Sequence, residues 1–182
     1  MEIVVHRGAS SSAPENTLSA ARVCEQLDVG CVEIDVRRSI DGVFYLLHDR
    51  TLDRTTDGHG RIAFRTSRYI DGLDAGSWFS AEFAGERVPR LSQVLDWAKG
   101  RVGLFLDVKC RRLRKIVRMI QARGMESEVF FWFGSDGMAR RFRRLSAEIS
   151  LKMNSRTAAE VRLHRRLYNN DIDLPPMFVP SL

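Results

Sequence analysis

Residues 31–48 read CVEIDVRRSIDGVFYLLH, and this stretch decides how the rest of the chain is arranged. Cys31–Val36 is a strand-like apolar run interrupted by Glu33 and Asp35. Two residues apart on a strand, both carboxylates project from one face. A parallel crossover to a next strand takes about a dozen residues or more, usually helical. No helical pattern lies between Asp35 and His48; instead Asp41-Gly42 gives a tight-turn signal between two strand-like runs. Val43–Leu47 is therefore read as the antiparallel return strand of a hairpin, and it brings His48 back roughly opposite Asp35.

Outward from the hairpin, short apolar runs alternate with helical patterns, as in repeated β/α units around a parallel sheet. The strands are placed at Ile3–Val5, Cys31–Val36, Gly103–Val108, Val129–Phe133, Ser150–Met153 and Met177–Val179. The helices are placed at Thr17–Leu27, Leu91–Lys99, Arg111–Arg123, Asp136–Leu145 and Thr157–Tyr168, the first capped by Asn16. Residues 37–88 form an insertion after the second strand. The predicted fold is an α/β barrel of the (β/α)₈ TIM type. With the hairpin excluded there are about six β/α units, whereas such a barrel takes about 250 residues. The expectation is one domain over residues 1–182 that lacks its last two units, with open strand edges through which chains self-associate.

The 29 Lys and Arg against 23 Asp and Glu give a net charge of +6, which favours anionic partners. The excess concentrates in runs such as Arg111-Arg112-Leu113-Arg114-Lys115 and Arg140-Arg141-Phe142-Arg143-Arg144. On amphipathic helices these form a solvated outer face. No nucleic-acid motif accompanies them, so no nucleic-acid partner is expected. Cys24, Cys31 and Cys110 are odd in number and show no paired spacing, which points to reduced thiols. With no apolar run long enough to cross a bilayer and no leader-like start, a cytoplasmic location is expected.

His6 follows the first strand, and Asp107 and Lys109 repeat the two-residue spacing on another strand. Barrels of this kind place such groups at the carboxyl ends of their strands, where active sites lie. Three carboxylates without a thiol make a hard, all-oxygen site suited to Mg²⁺ or Ca²⁺. Arg7 and Lys109 can bind a phosphate, and two imidazoles can act as acid and base near neutral pH. The set has the chemistry of a phosphodiester-cleaving site.

The motifs His6-Arg7-Gly8, Pro14-Glu15-Asn16-Thr17, Glu33-Ile34-Asp35-Val36, Asp41-Gly42, His48-Asp49, Leu52-Asp53-Arg54-Thr55-Thr56 and Gly58-His59-Gly60 follow in order. Asp74-Ala75-Gly76-Ser77-Trp78-Phe79 and Pro89-Arg90-Leu91 continue the series. Together they resemble the glycerophosphodiester phosphodiesterase family, densely over residues 3–109. The resemblance implies catalytic His6 and His48, metal ligands Glu33, Asp35 and Asp107, phosphate contacts from Arg7 and Lys109, and support from Glu15. It also implies one divalent cation and a small glycerophosphodiester substrate, cleaved to glycerol 3-phosphate and an alcohol through a cyclic phosphate.

Two positions depart from the family pattern. Asp107 stands where Glu is usual, one methylene shorter, and Arg90 stands where a helix-capping Thr is common. The alternatives are a lysophospholipase D-type activity on lipid diesters, a catalytically silent fragment, and an anion- or nucleic-acid-binding module using the arginine-rich helices.

Overall fold

The computed structural model describes residues 3–110, 112–133 and 136–153. The expected strand Met177–Val179 and helix Thr157–Tyr168 lie outside these residues. Strands β1 (Val4–Val5), β2 (Cys31–Arg38), β4 (Gly103–Val108), β5 (Val129–Phe133) and β6 (Ser150–Met153) form one parallel sheet in the order β1-β2-β4-β5-β6. Among the described residues this is an open half-barrel, with β1 and β6 at its ends. Helices α1 (Leu18–Gln26), α3 (Leu91–Ala98), α4 (Leu113–Gln121) and α5 (Asp136–Arg143) alternate with these strands. No helix of the described residues is long and apolar enough to cross a membrane.

Alternation along the strands separates the two faces of the sheet. Val32, Ile34 and Val36 of β2, Leu104, Leu106 and Val108 of β4, and Phe131 and Phe133 of β5 are buried in the core. The register pairs Glu33 with Phe105 and Asp35 with Asp107 on the opposite face, because directly paired residues of neighbouring strands share a face. Phe105 and Phe130 stack there, with centroids 4.8 Å apart. In α4 the buried residues are Leu113, Ile116, Val117 and Ile120, a helical stripe with the exposed Arg114, Lys115 and Arg118 turned outward.

The hairpin forms as its turn signal requires. Strand β3 (Phe44–Leu46) pairs antiparallel with the end of β2, Val36 against Leu46 and Arg38 against Phe44, and Gly42 supplies φ +88° in the turn. Phe44 and Leu46 enter the main core, whereas Tyr45 and Leu47 enter a second cluster with Leu52, Ile62, Ile70, Leu73, Ala75 and Val88. The insertion thus has its own small core, built on the back of the hairpin. A short helix, α2 (Ser67–Ile70), and two 3₁₀ turns supply its remaining order.

Two caps differ from the sequence reading or refine it. Thr17, and not Asn16, caps α1: its Oγ1 accepts the Ala20 N–H at 3.2 Å. Asn16 has φ +56° and turns its side chain inward instead. Arg90 caps α3 without a side-chain acceptor; Gln93 accepts its N–H at 2.9 Å, and the Arg90 guanidinium pairs with Asp71.

The loop after β1 lies directly on α1. Gly8 has φ +77°, and a Cβ there would sit 2.8 Å from Ala20 Cβ. Gly8→Ala is expected to cost about 1–3 kcal/mol, since both the conformation and the contact oppose it. Gly137 in α5 has open space around it, so Gly137→Ala should be neutral or stabilise by up to about 1 kcal/mol. Urea unfolding of both variants checks the pair; equal midpoints would contradict the close packing of the β1 loop on α1.

Candidate active site

The three expected carboxylates converge. One oxygen each from Glu33, Asp35 and Asp107 lies within 4.8 Å of the others at the ends of β2 and β4. Glu33 and Asp35 are buried and Asp107 is partly exposed. Burial, with repulsion from Asp35 and Asp107, pushes the Glu33 carboxyl up to about 8. The donor set is all oxygen and anionic, and it fits a hard divalent cation. Asp107 reaches the cluster despite being shorter than Glu.

Asp35 is held from two sides. Asn16 donates from Nδ2 to Asp35 Oδ2 at 3.0 Å, and its Oδ1 accepts the Asp35 backbone N–H at 3.0 Å. This two-point clamp fixes the strand end and explains the left-handed backbone at Asn16. Lys109 Nζ stands 3.2 Å from Asp35 Oδ1 and also pairs with Asp107. Burial alone would lower the Lys109 ammonium, but Asp107 and Asp35 outweigh it and raise its pKa.

Arg7 works through both backbone and side chain. Its N–H donates to Glu33 Oε2 at 2.8 Å, which its positive φ of 58° permits. Its Nη1 donates to Glu15 at 3.1 Å, and its buried Nε lies 3.4 Å from Asp35 Oδ2, without a hydrogen-bond partner among the described residues. Glu15 also accepts two hydrogen bonds from Arg54, each 2.8 Å. Burial raises the Glu15 carboxyl, but Arg54 and Arg7 together hold it below its usual value.

Both histidines lie near the cluster, close enough to interact with each other. His6 Nε2 lies 3.9 Å from Glu33 Oε2. Burial and the Arg7 charge lower the His6 imidazole, and His48 adds to the effect against Asp35 and Glu15. His48 Nδ1 meets Asp49 Oδ1 at 2.8 Å. Arg54 donates to the other Asp49 oxygen at 2.7 Å and holds that carboxyl down at about 2, with His48 also contributing. Arg37 Nε donates to the His48 carbonyl at 2.9 Å.

Every residue singled out from the sequence is in this cluster: His6, Arg7, Glu15, Glu33, Asp35, His48, Asp107 and Lys109. Sequence reasoning missed Asn16 as a clamp, and it gave no role to Asp49, Arg54 or Arg37. Asp49 and Arg54 stand in quoted motifs, His48-Asp49 and Leu52-Asp53-Arg54, so a signal existed without a geometry to interpret it. His59 is apart from the site, 80% exposed at its side chain and paired with Asp53.

Residues 6–126 match the glycerophosphoryl diester phosphodiesterase family. The chain is 42% identical over 94 residues to a glycerophosphodiester phosphodiesterase of Caldanaerobacter subterraneus, a match covering 52% of this chain and 39% of that protein. The crystal structure of glycerophosphodiester phosphodiesterase from Agrobacterium tumefaciens superimposes with a TM-score of 0.78 at 40% identity, covering 83% of this chain and 65% of that one. A phosphodiesterase from Oleispira antarctica, in complex with the product sn-glycerol-3-phosphate, gives 0.76 at 30% identity, covering 91% of this chain and 71% of that one. The chain spans less than half the length of curated relatives such as the Caldanaerobacter protein. With two thirds of its length matched, this chain belongs to the glycerophosphoryl diester phosphodiesterase family.

Proposed function

We propose that this chain hydrolyses glycerophosphodiesters to glycerol 3-phosphate and an alcohol, with a divalent cation at Glu33, Asp35 and Asp107 and proton transfer by His6 and His48. The observation that carries the reading is the convergence of the three carboxylates within 4.8 Å, with His6 Nε2 3.9 Å from Glu33, in a member of this family. Mg²⁺ or Ca²⁺ bound there would supply charge against that developing on the nonbridging phosphate oxygens.

The protein groups divide the proton work. His6, whose pKa burial and Arg7 lower so that the neutral ring is favoured, is assigned as the proton acceptor. It takes the proton of the glycerol hydroxyl next to the phosphate as that oxygen attacks phosphorus. Asp49 fixes the His48 ring through Nδ1, leaving Nε2 to donate a proton to the departing alcohol. Water then opens the cyclic phosphate with the two roles reversed. Lys109 and Arg7 offset the negative charge of the diester beside the carboxylates.

Release of glycerol 3-phosphate from glycerophosphoglycerol and glycerophosphocholine, with and without EDTA, tests the proposal. EDTA-sensitive release from either substrate supports it, and no release from both refutes it. Asp35→Asn should nearly abolish turnover. It should also erase the metal-induced rise in Tm, which is expected to be about 5–10 °C at a hundredfold excess over Kd. Undiminished metal binding in that variant, measured by calorimetry, would overturn the ligand assignment.

The raised Glu33 carboxyl gives that test a pH dependence. The folded, metal-free chain holds the Glu33 proton up to about pH 8, whereas an unfolded chain releases it near 4.5. The unfolded state therefore binds fewer protons between these values, so Glu33 makes metal-free stability fall as pH rises through them. A cation requires the ionised carboxylate, so its stabilising effect should grow over the same range. Thermal melts from pH 6 to 9, with EDTA or with Mg²⁺, check the divergence; Glu33→Gln should remove most of it.

His6→Ala and His48→Ala should each lower kcat on the order of 10²–10⁴-fold. The double variant should lose far less than the product of the two, because the pair acts as a unit. His59→Ala is the control, and equal damage there would contradict the assignment of roles.

A further inference from the structure

Beside the carboxylate cluster, a pocket of about 250 Å³ is lined by Arg37, Arg38, Arg50, Arg61, Phe64 and Lys109. Its charged lining is entirely cationic. Arg7, Arg54, Arg90, Arg101 and Arg123 each pair with a carboxylate, while others such as Arg65 and Arg87 donate to backbone carbonyls instead. Among the described residues, Arg37, Arg38, Arg50 and Arg61 have no such ion pair. Like charges collected around one cavity focus a positive potential there and raise the local concentration of anions. The pocket also abuts the reaction centre. Lys109 reaches Asp35 and Asp107, and Arg37 holds the His48 carbonyl. Phe64, 68% exposed, adds an apolar wall.

We propose that this pocket receives a phosphate monoester carried by the alcohol half of the diester, so that the preferred substrates have a phosphorylated, anionic leaving group. The assignment rests on the hydrolase reading above. A phosphate monoester is dianionic and offers three acceptor oxygens, which suits several planar guanidinium forks better than a single carboxylate would. A cationic alcohol such as choline meets four arginines and, among the described residues that line the pocket, no carboxylate to receive it. The pocket therefore selects against it.

The test compares kcat/KM for glycerophosphoglycerol, for its terminal phosphate monoester and for glycerophosphocholine. The wild-type chain should prefer the phosphorylated diester by about 10–100-fold, the factor that one or two charge-assisted hydrogen bonds provide. Glycerophosphocholine should be the poorest of the three. In Arg50→Ala/Arg61→Ala, which leaves Arg37 and Lys109 in place, the ratio for the first two substrates should fall to within about threefold, as the loss of those bonds implies. Equal rates in the wild type, or a preference that survives in the variant, would overturn the pocket while leaving diester hydrolysis standing.

Calorimetric titration with the phosphorylated diester in EDTA gives a readout independent of turnover. Weaker binding to the variant supports the pocket even if no diester is cleaved, whereas equal binding removes it. Vesicles containing phosphatidic acid form the last arm. If they bind through Arg50 and Arg61 while the soluble diester does not, the cations belong to a lipid surface and the soluble-substrate assignment is wrong.

Discussion

Glu33, Asp35 and Asp107 repel one another at the ends of β2 and β4, and much of the surrounding architecture answers that repulsion. At 4.8 Å two ionised carboxylates oppose each other by about 3–4 kcal/mol even at an effective dielectric of ~20. The parallel register makes the problem unavoidable, because it sets Asp35 directly beside Asp107. Three compensations are built around it. The Arg7 N–H is turned onto Glu33 by a left-handed backbone, Asn16 grips Asp35 twice, and Lys109 bridges Asp35 and Asp107. Burial still keeps Glu33 reluctant to ionise.

The hairpin connects this cluster to the insertion. Phe44 and Leu46 anchor one side of β3 in the main core, while Tyr45 and Leu47 anchor the other in the insertion's core. Shifting β3 by one residue would send each apolar set into the other's core, where neither matches the packing, so its register is fixed from two directions. That fixed register delivers His48, whose backbone Arg37 holds and whose ring Asp49 orients. Arg54 then ties Asp49 to Glu15, and Glu15 to Arg7. A continuous chain of charge-assisted hydrogen bonds thus runs from one histidine to the loop that carries the other.

The local periodicities made much of this legible in the sequence. The two-residue spacing of Glu33 with Asp35, and of Asp107 with Lys109, placed each pair on one face, and Asp41-Gly42 returned His48 to the strand end. The 113, 116, 117, 120 stripe of α4 follows from helical period alone. What escaped depends on backbone conformation or on long side chains. Asn16 is a common helix cap, and only its φ of +56° shows that it faces Asp35 while Thr17 does the capping. Arg37, Arg54 and Arg90 can each reach several partners, and the folded chain, not their spacing, selects among them. The missing cap at Arg90 was readable. The Asp71 pair and the Gln93 acceptor that accompany it were not.

The distribution of cations has a further consequence for an anionic ligand. A phosphodiester approaching three carboxylates is repelled unless positive charge lies nearer to it than the negative charge does. Arg7 and Arg54 are largely consumed by Glu15, Asp35 and Asp49, and Lys109 by Asp35 and Asp107. These cations make the carboxylates tolerable to the fold, and a ligand meets only the share of their charge that those carboxylates leave. Among the described residues, Arg38, Arg50 and Arg61 have no ion pair with a carboxylate, and they line one pocket together with Lys109. The cations around the strand ends thus form two sets: one is paired with the acidic cluster and holds it together, and the other lines the neighbouring pocket, where an anion would meet it.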